Sequence, residues 1–285
     1  MNRASPASSH TTILGGLKAR YLQWGTGDTP AVLMLHGLRS YARTWAPIAE
    51  ALCSRYFIIA PDFRGRGDSQ WDPERNYYTS FYVSDVEELV AELGLSQFTI
   101  IGHSMGGTVA YAYAARHPEQ VTRLIIEDIG PGSSTVTAGA DRIVREMRSA
   151  PSGFDSTDAA QRYWRGIRPG ISEAALKSRM TNTLRPGTDG RWEWKLDMAG
   201  IAEARLSGNP AGQADIWKCV EALQCPALVV RGAQSDFLPA ATCKEMSARQ
   251  PRLTWAEIPD AGHYVHDDNP SAYLQAVRDF LRETR

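Results

Sequence analysis

The run Phe98-Thr99-Ile100-Ile101-Gly102-His103-Ser104-Met105-Gly106-Gly107-Thr108-Val109-Ala110-Tyr111-Ala112-Tyr113-Ala114-Ala115-Arg116-His117-Pro118 changes character twice. Its first four residues are apolar and β-branched or aromatic, the composition of a buried strand. From Thr108 to His117 it is Ala-rich and closed by Pro118, the composition of a helix with its stop. Ser104 lies in the turn between them, with Gly102 and Gly106 two residues to either side. A bend that tight forces the serine into strained dihedrals. It also brings the flanking backbone so close to its neighbours that a side chain at 102 or 106 would clash. Gly-x-Ser-x-Gly between a strand and a helix is the geometry of a nucleophile elbow.

Working outward, the chain alternates apolar strands with helices. Residues 11–24 read as two strands split by Gly15-Gly16, and Ala31–Leu35 as a fully apolar strand leading into His36-Gly37-Leu38. A helix is expected around Trp45–Cys53, a strand over Tyr56–Ala60, and an amphipathic helix over 81–93 stopped by Gly94. Strands follow at Val121–Ile126, Pro226–Arg231 and Leu253–Ile258, and residues 270–282 form a closing helix. This alternation predicts an α/β fold, a mostly parallel twisted sheet with helices on both faces. Residues 132–213 break the rhythm with helical stretches, no strand-like run, and many Trp and Arg residues. They read as a helical cap inserted into a core formed by 11–131 and 214–285, and residues 1–10 as a loosely ordered tail.

A serine hydroxyl is a poor nucleophile at neutral pH and needs a base, which needs an orienting carboxylate. Among the six histidines, His263 follows the last strand, where a loop reaches back over the carboxyl edge of the sheet. His36 and His103 belong to other parts of the site, His117 to a helix end and His10 to the tail; His266 is the rival, expected on the following loop. Two carboxylates follow strands at the same edge, Asp128 and Asp236, and either preserves the chain order nucleophile, acid, histidine. Backbone donors for a developing oxyanion are expected from the N–H groups of Met105 and Leu38.

These pieces (the His36-Gly37 loop, the turn Asp62-Phe63-Arg64-Gly65-Arg66-Gly67-Asp68-Ser69, the elbow and the Gly262-His263 loop) resemble the α/β-hydrolase superfamily over roughly residues 11–285. In most members the acid stands three residues after a strand-ending glycine matching Gly232. That position is Ser235 here, and Asp236 is one residue late, a shift that turns a side chain to the other face. Some members, including the YbfF-like esterases, instead carry the acid after the preceding strand, and Asp128-Ile129-Gly130-Pro131 resembles that variant. The resemblance therefore favours Asp128, with Asp236 as the alternative.

What it implies is a cofactor-independent serine hydrolase of a small carboxylic ester or lactone, acting through an acyl-enzyme with Ser104, His263 and Asp128. Cleavage of a C–C bond or an enamide by the same triad, a lyase, and a low-turnover small-molecule receptor are the alternatives on this scaffold.

Composition excludes other classes. The 285 residues carry 31 Lys plus Arg against 32 Asp plus Glu, for a net charge of −1, so neither nucleic acid nor an anionic membrane is an expected partner. No apolar run approaches the ~18 residues of a membrane span, and the opening residues lack the apolar core of a signal peptide. Cys53, Cys219, Cys225 and Cys243 are scattered and read as reduced thiols. The expectation is a cytoplasmic monomer or homodimer whose partner is its substrate, with no cofactor and no metal. Trp164, Trp192, Trp194 and Trp217 read as packing, with lining of a pocket as the second reading. Arg162, Arg165, Arg168, Arg185 and Arg191 read as a solvated face, with recognition of a substrate carboxylate as theirs.

Overall fold

A computed structural model describes residues 7–207, 209 and 214–283. In chain order the elements are β1 (Ser8–Leu14), β2 (Leu17–Trp24), β3 (Ala31–Leu35), a 3₁₀ turn (Ala42–Trp45) running into α1 (Ala46–Leu52), β4 (Phe57–Pro61), α2 (Thr79–Glu92), β5 (Phe98–His103), α3 (Met105–Arg116) and β6 (Val121–Glu127). Then come α4 (Ala138–Arg148), β7 (Gly153–Phe154), α5 (Thr157–Ile167), α6 (Glu173–Thr183), β8 (Leu184–Pro186), β9 (Trp192–Trp194), α7 (Met198–Leu206) and α8 (Ile216–Glu221). The chain closes with β10 (Ala227–Gly232), α9 (Ala240–Arg249), β11 (Leu253–Ile258), α10 (Val265–Asp268) and α11 (Pro270–Glu283).

Eight strands form one sheet in the order β1-β2-β4-β3-β5-β6-β10-β11. The β1–β2 and β2–β4 pairs are antiparallel and every later pair is parallel. Side chains alternate across a strand, so each apolar strand feeds two cores. Leu33 and Leu35 of β3 enter one cluster with Ile100, Val109 and Ile126, beneath α2 and α3. Val32 and Met34 enter the other with Ile101, Val230 and Val277, against α1 and α11. Strands buried on both faces need unbroken apolar runs, and such runs are what the sequence supplies.

Three expectations need correction. Ser8–His10, assigned to the tail, begin β1: they pair in register with Gln23, Leu22 and Tyr21 of β2, and the His10 ring stacks on Tyr21. Residues 1–6 of that tail lie outside the described residues. Second, the 132–213 stretch contains strands: β7, β9 and β8 form a separate three-stranded antiparallel sheet. Strands of two or three residues are too short for alternation to register in a sequence. Third, His266 lies not on a loop but in α10, buried. The other boundaries agree to within a few residues.

The inserted stretch is tied to the sheet by specific bonds. Asp197, at the N-cap of α7, accepts from Gly200 N–H and from the Tyr77 hydroxyl, while its own N–H donates to Gly65 O. Arg168 and Arg179 reach Asp267 in α10, at 2.8 and 3.2 Å.

Candidate active site

Gly102 and Gly106 have no room for a side chain. A Cβ at 102 would stand 2.5 Å from Gly106 O, and one at 106 only 2.2 Å from Leu35 O. With both bare, β5 turns straight into α3 and Ser104 takes φ +52°, ψ −116°. That left-handed φ is strained for a residue with a side chain, and here it lifts the hydroxyl out of the sheet edge. Ser104 N–H donates to Glu127 O at 3.0 Å, which pins the bend to the end of β6.

Ser104 Oγ lies 2.9 Å from His263 Nε2, and His263 Nδ1 lies 2.8 Å from Asp128 Oδ2. The three residues come from positions 159 and 135 apart in sequence, and all are buried. Asp128 sits just past β6 with φ +53° and is fully buried. Its carboxylate has three donors: His263 Nδ1–H, the Ser235 hydroxyl at 2.6 Å and Gly232 N–H at 3.1 Å. A buried carboxylate is tolerated only when so satisfied. Ser235 thus stands at the position the resemblance gives to the acid and donates its hydroxyl to Asp128.

Asp236, the alternative, is not brought to His263. Its carboxylate receives Arg142 Nε at 2.8 Å and a second Arg142 nitrogen at 2.9 Å, and this fork holds its carboxyl below the usual range. The one-residue offset sends it toward α4 and solvent, leaving its side chain 38% exposed.

Two further histidines flank this hydrogen-bonded line. His103 Nε2–H donates to His263 O at 2.8 Å and so braces the loop carrying the imidazole. Burial, with His263 beside it, pushes His103 far below its ordinary pKa, so it stays neutral. His36 is pushed down to about 3, chiefly by burial. Its Nε2 accepts from Phe63 N–H, so the proton stands on Nδ1, which donates to Gly37 O at 2.8 Å. Ser40 N–H also donates to that carbonyl. Gly37 C=O and Leu38 N–H share one planar trans peptide, so anchoring the carbonyl aims the N–H the opposite way.

Leu38, Ser104 and Met105 line one cavity of about 130 Å³, whose walls include Ile129, Ile143 and Phe237. The next peptide is anchored too: Arg66, fully buried, donates its Nε–H to Leu38 O and reaches Met105 Sδ.

The remaining candidates are placed elsewhere. His266 donates through Nδ1 to Glu127 and meets Thr44 Oγ1 through Nε2 at 2.9 Å, so its ring serves a buried ion pair. Among the described residues no group of three or more His, Cys, Asp or Glu is arranged to hold a metal. No helix among them is long and apolar enough to cross a membrane.

None of Trp164, Trp192, Trp194 and Trp217 lines the cavity. Trp164 and Trp194 pack edge-to-face on each other, and Arg249 lies over Trp217. Arg168, read as part of a solvated face, is buried and forks between Asp267 and Asp268; Arg165, Arg185 and Arg191 pair with Glu173, Glu193 and Asp155. Burial raises the Cys225 and Cys243 thiols to about 11 and about 12, leaving neither as a thiolate near pH 7. The cavity residue that sequence reasoning missed is Arg205, on α7. Nothing in its neighbours in sequence marks it, because its place on the cavity wall is set by how α7 packs on the core.

The family profile of the alpha/beta hydrolase fold matches residues 30–270. The 3-hydroxybutyrate-oligomer hydrolase of Cupriavidus necator is 34% identical over 271 residues, covering 91% of this chain and 89% of that one. The sn-1-specific diacylglycerol lipase ABHD11 of Mus musculus is 27% identical over 264 residues, covering 90% and 82%. Among solved structures, E-2-(acetamidomethylene)succinate hydrolase superposes with a TM-score of 0.86 at 25% identity, covering 97% of this chain and 99% of that one. On fold, profile and end-to-end similarity to these hydrolases, the chain belongs to the alpha/beta-hydrolase family.

Proposed function

We propose that this hydrolase is a serine esterase that cleaves a small carboxylic ester or lactone through an acyl-enzyme. The observation that carries the reading is the unbroken hydrogen-bonded line from Ser104 Oγ through His263 to Asp128, opening on the cavity. Ser104 Oγ bonds to the ester carbonyl carbon while its proton passes to His263 Nε2. Asp128 keeps the imidazole in the Nδ1–H tautomer and stabilises the imidazolium. The tetrahedral oxyanion is met by the N–H groups of Leu38 and Met105. The C–O bond to the leaving alkoxide breaks, and His263 returns the proton to it. Water then attacks the acyl carbon with His263 as base, releasing the acid and restoring Ser104. No cofactor or metal enters these steps.

Residues 132–213 serve as a cap over the 11–131 and 214–285 core: Ile143, Ile201, Ala204 and Arg205 wall the cavity from that side. The relatives named as an oligomer hydrolase and a diacylglycerol lipase support an ester as the bond cleaved.

With p-nitrophenyl butyrate, wild type should release nitrophenol in a pre-steady-state burst. Ser104→Ala should abolish the burst and lower turnover by on the order of 10⁴–10⁶-fold. Native turnover by Ser104→Ala would refute the mechanism. The likeness to an acetamidomethylene-succinate hydrolase favours enamide cleavage as the second reading, on the same three residues. Turnover of an N-acyl enamide with no burst or turnover on activated esters would select it.

A further inference from the structure

Arg205 is the one ionised side chain among the described residues lining the cavity that holds Ser104; the walls otherwise are apolar or carry hydroxyl and amide groups. A terminal nitrogen of its guanidinium donates to Ser134 O at 2.8 Å, a neutral carbonyl. Among the described residues no carboxylate pairs with it. The neighbouring positions outside that set, Gly208, Pro210, Ala211, Gly212 and Gln213, bear none in sequence. Of the other arginines in the inserted stretch, Arg142, Arg165, Arg168, Arg179, Arg185 and Arg191 each meet a carboxylate, and Arg145, Arg148 and Arg162 are exposed. Burial, with no opposing charge, lowers the Arg205 guanidinium pKa from its usual value. A desolvated charge without a counter-charge is costly in a folded chain, and the planar guanidinium fork matches a carboxylate in two parallel bonds.

We infer that Arg205 is a specificity residue that binds a carboxylate of the substrate, so that the ester presented to Ser104 is a monoanion. Substrates of this class are half-esters of short dicarboxylic acids and esters of hydroxy acids with a free carboxyl end. One unpaired positive charge in an otherwise uncharged cavity balances one negative charge, whereas a phosphate dianion would leave a charge uncompensated. The inference rests on the proposed esterase reading for which bond is broken, but not for what is bound.

The test separates the two by measuring binding rather than turnover. In the Ser104→Ala protein, calorimetry should show monomethyl glutarate binding roughly ten- to a hundred-fold tighter than the uncharged dimethyl glutarate. Adding Arg205→Met should bring the two affinities to within about two-fold. Arg205→Lys keeps the charge but not the fork and should retain part of the preference. If Arg205→Met fails to fold, as thermal unfolding would reveal, the Arg205→Lys protein decides by whether the preference shrinks. Equal or undetectable binding of the two ligands to Ser104→Ala overturns the inference, as does a preference untouched by substitution at 205. Discrimination by Ser104→Ala, together with a wild type that hydrolyses no ester, would sink the esterase reading alone.

Discussion

Ser235 and Asp236 differ by one position and by almost everything else. Ser235 turns its hydroxyl onto Asp128 Oδ2, while Asp236 faces away into the fork of Arg142. If Asp128 orients His263, Asp128→Asn should lower kcat by on the order of 10⁴-fold, since an amide there favours the wrong tautomer. Asp236→Asn, which loses a partly exposed ion pair, should change kcat only a few-fold. Steady-state kinetics on one activated ester compare the two, and the reverse ranking would transfer the acid's role to Asp236. His36 makes a second prediction: His36→Ala removes the shorter of the two hydrogen bonds that hold Gly37 O, leaving Ser40 N–H alone, so the aim of Leu38 N–H loosens. The kcat should fall by about 10² with KM little changed, because oxyanion contacts matter most in the transition state.

The strand, turn and helix of the elbow were legible because each is announced locally: an apolar β-branched run, bare glycines, then alanines ended by a proline. Gly106→Ala should show how strict that bend is. A methyl 2.2 Å from Leu35 O forces α3 away from β3, at a cost of roughly 1–3 kcal/mol or more. Urea unfolding would read the loss of stability, and hydrolase assays the displaced serine. The short strands β7, β8 and β9 left no such trace, since two or three residues form a strand only when a partner lies alongside. The attachment of α7 was equally hidden, because it depends on Asp197 meeting Tyr77 and the Gly65 loop, 120 and more residues away. Asp197→Ala removes the N-cap and should cost about 1 kcal/mol, measured by thermal unfolding.

Across the molecule, a buried charge network lies behind Ser104, His263 and Asp128. Glu127 from β6 meets His266 from α10; Asp267 is reached by Arg168 after α5 and by Arg179 of α6. Burial alone would lower the His266 pKa, but Glu127 and Asp267 outweigh it and the net shift is upward. A raised folded pKa means a contribution fully present below the unfolded value of about 6.5 and lost as pH rises through the higher folded one. The thermal midpoint of wild type should therefore fall as pH climbs above neutrality, and His266→Gln should flatten that part of the profile. An unchanged slope in the variant would assign the decline to other groups.

Local rules were enough for the sheet and the elbow, because backbone strain, apolar alternation and glycine needs are met by neighbours within a few residues. Which carboxylate meets His263, that His266 serves Glu127, that Arg168 is buried and paired, and that Arg205 meets no carboxylate among the described residues were decided only by folding. Charges find or lack their partners through space, and residues a hundred or more positions apart share no pattern in the chain that records the meeting.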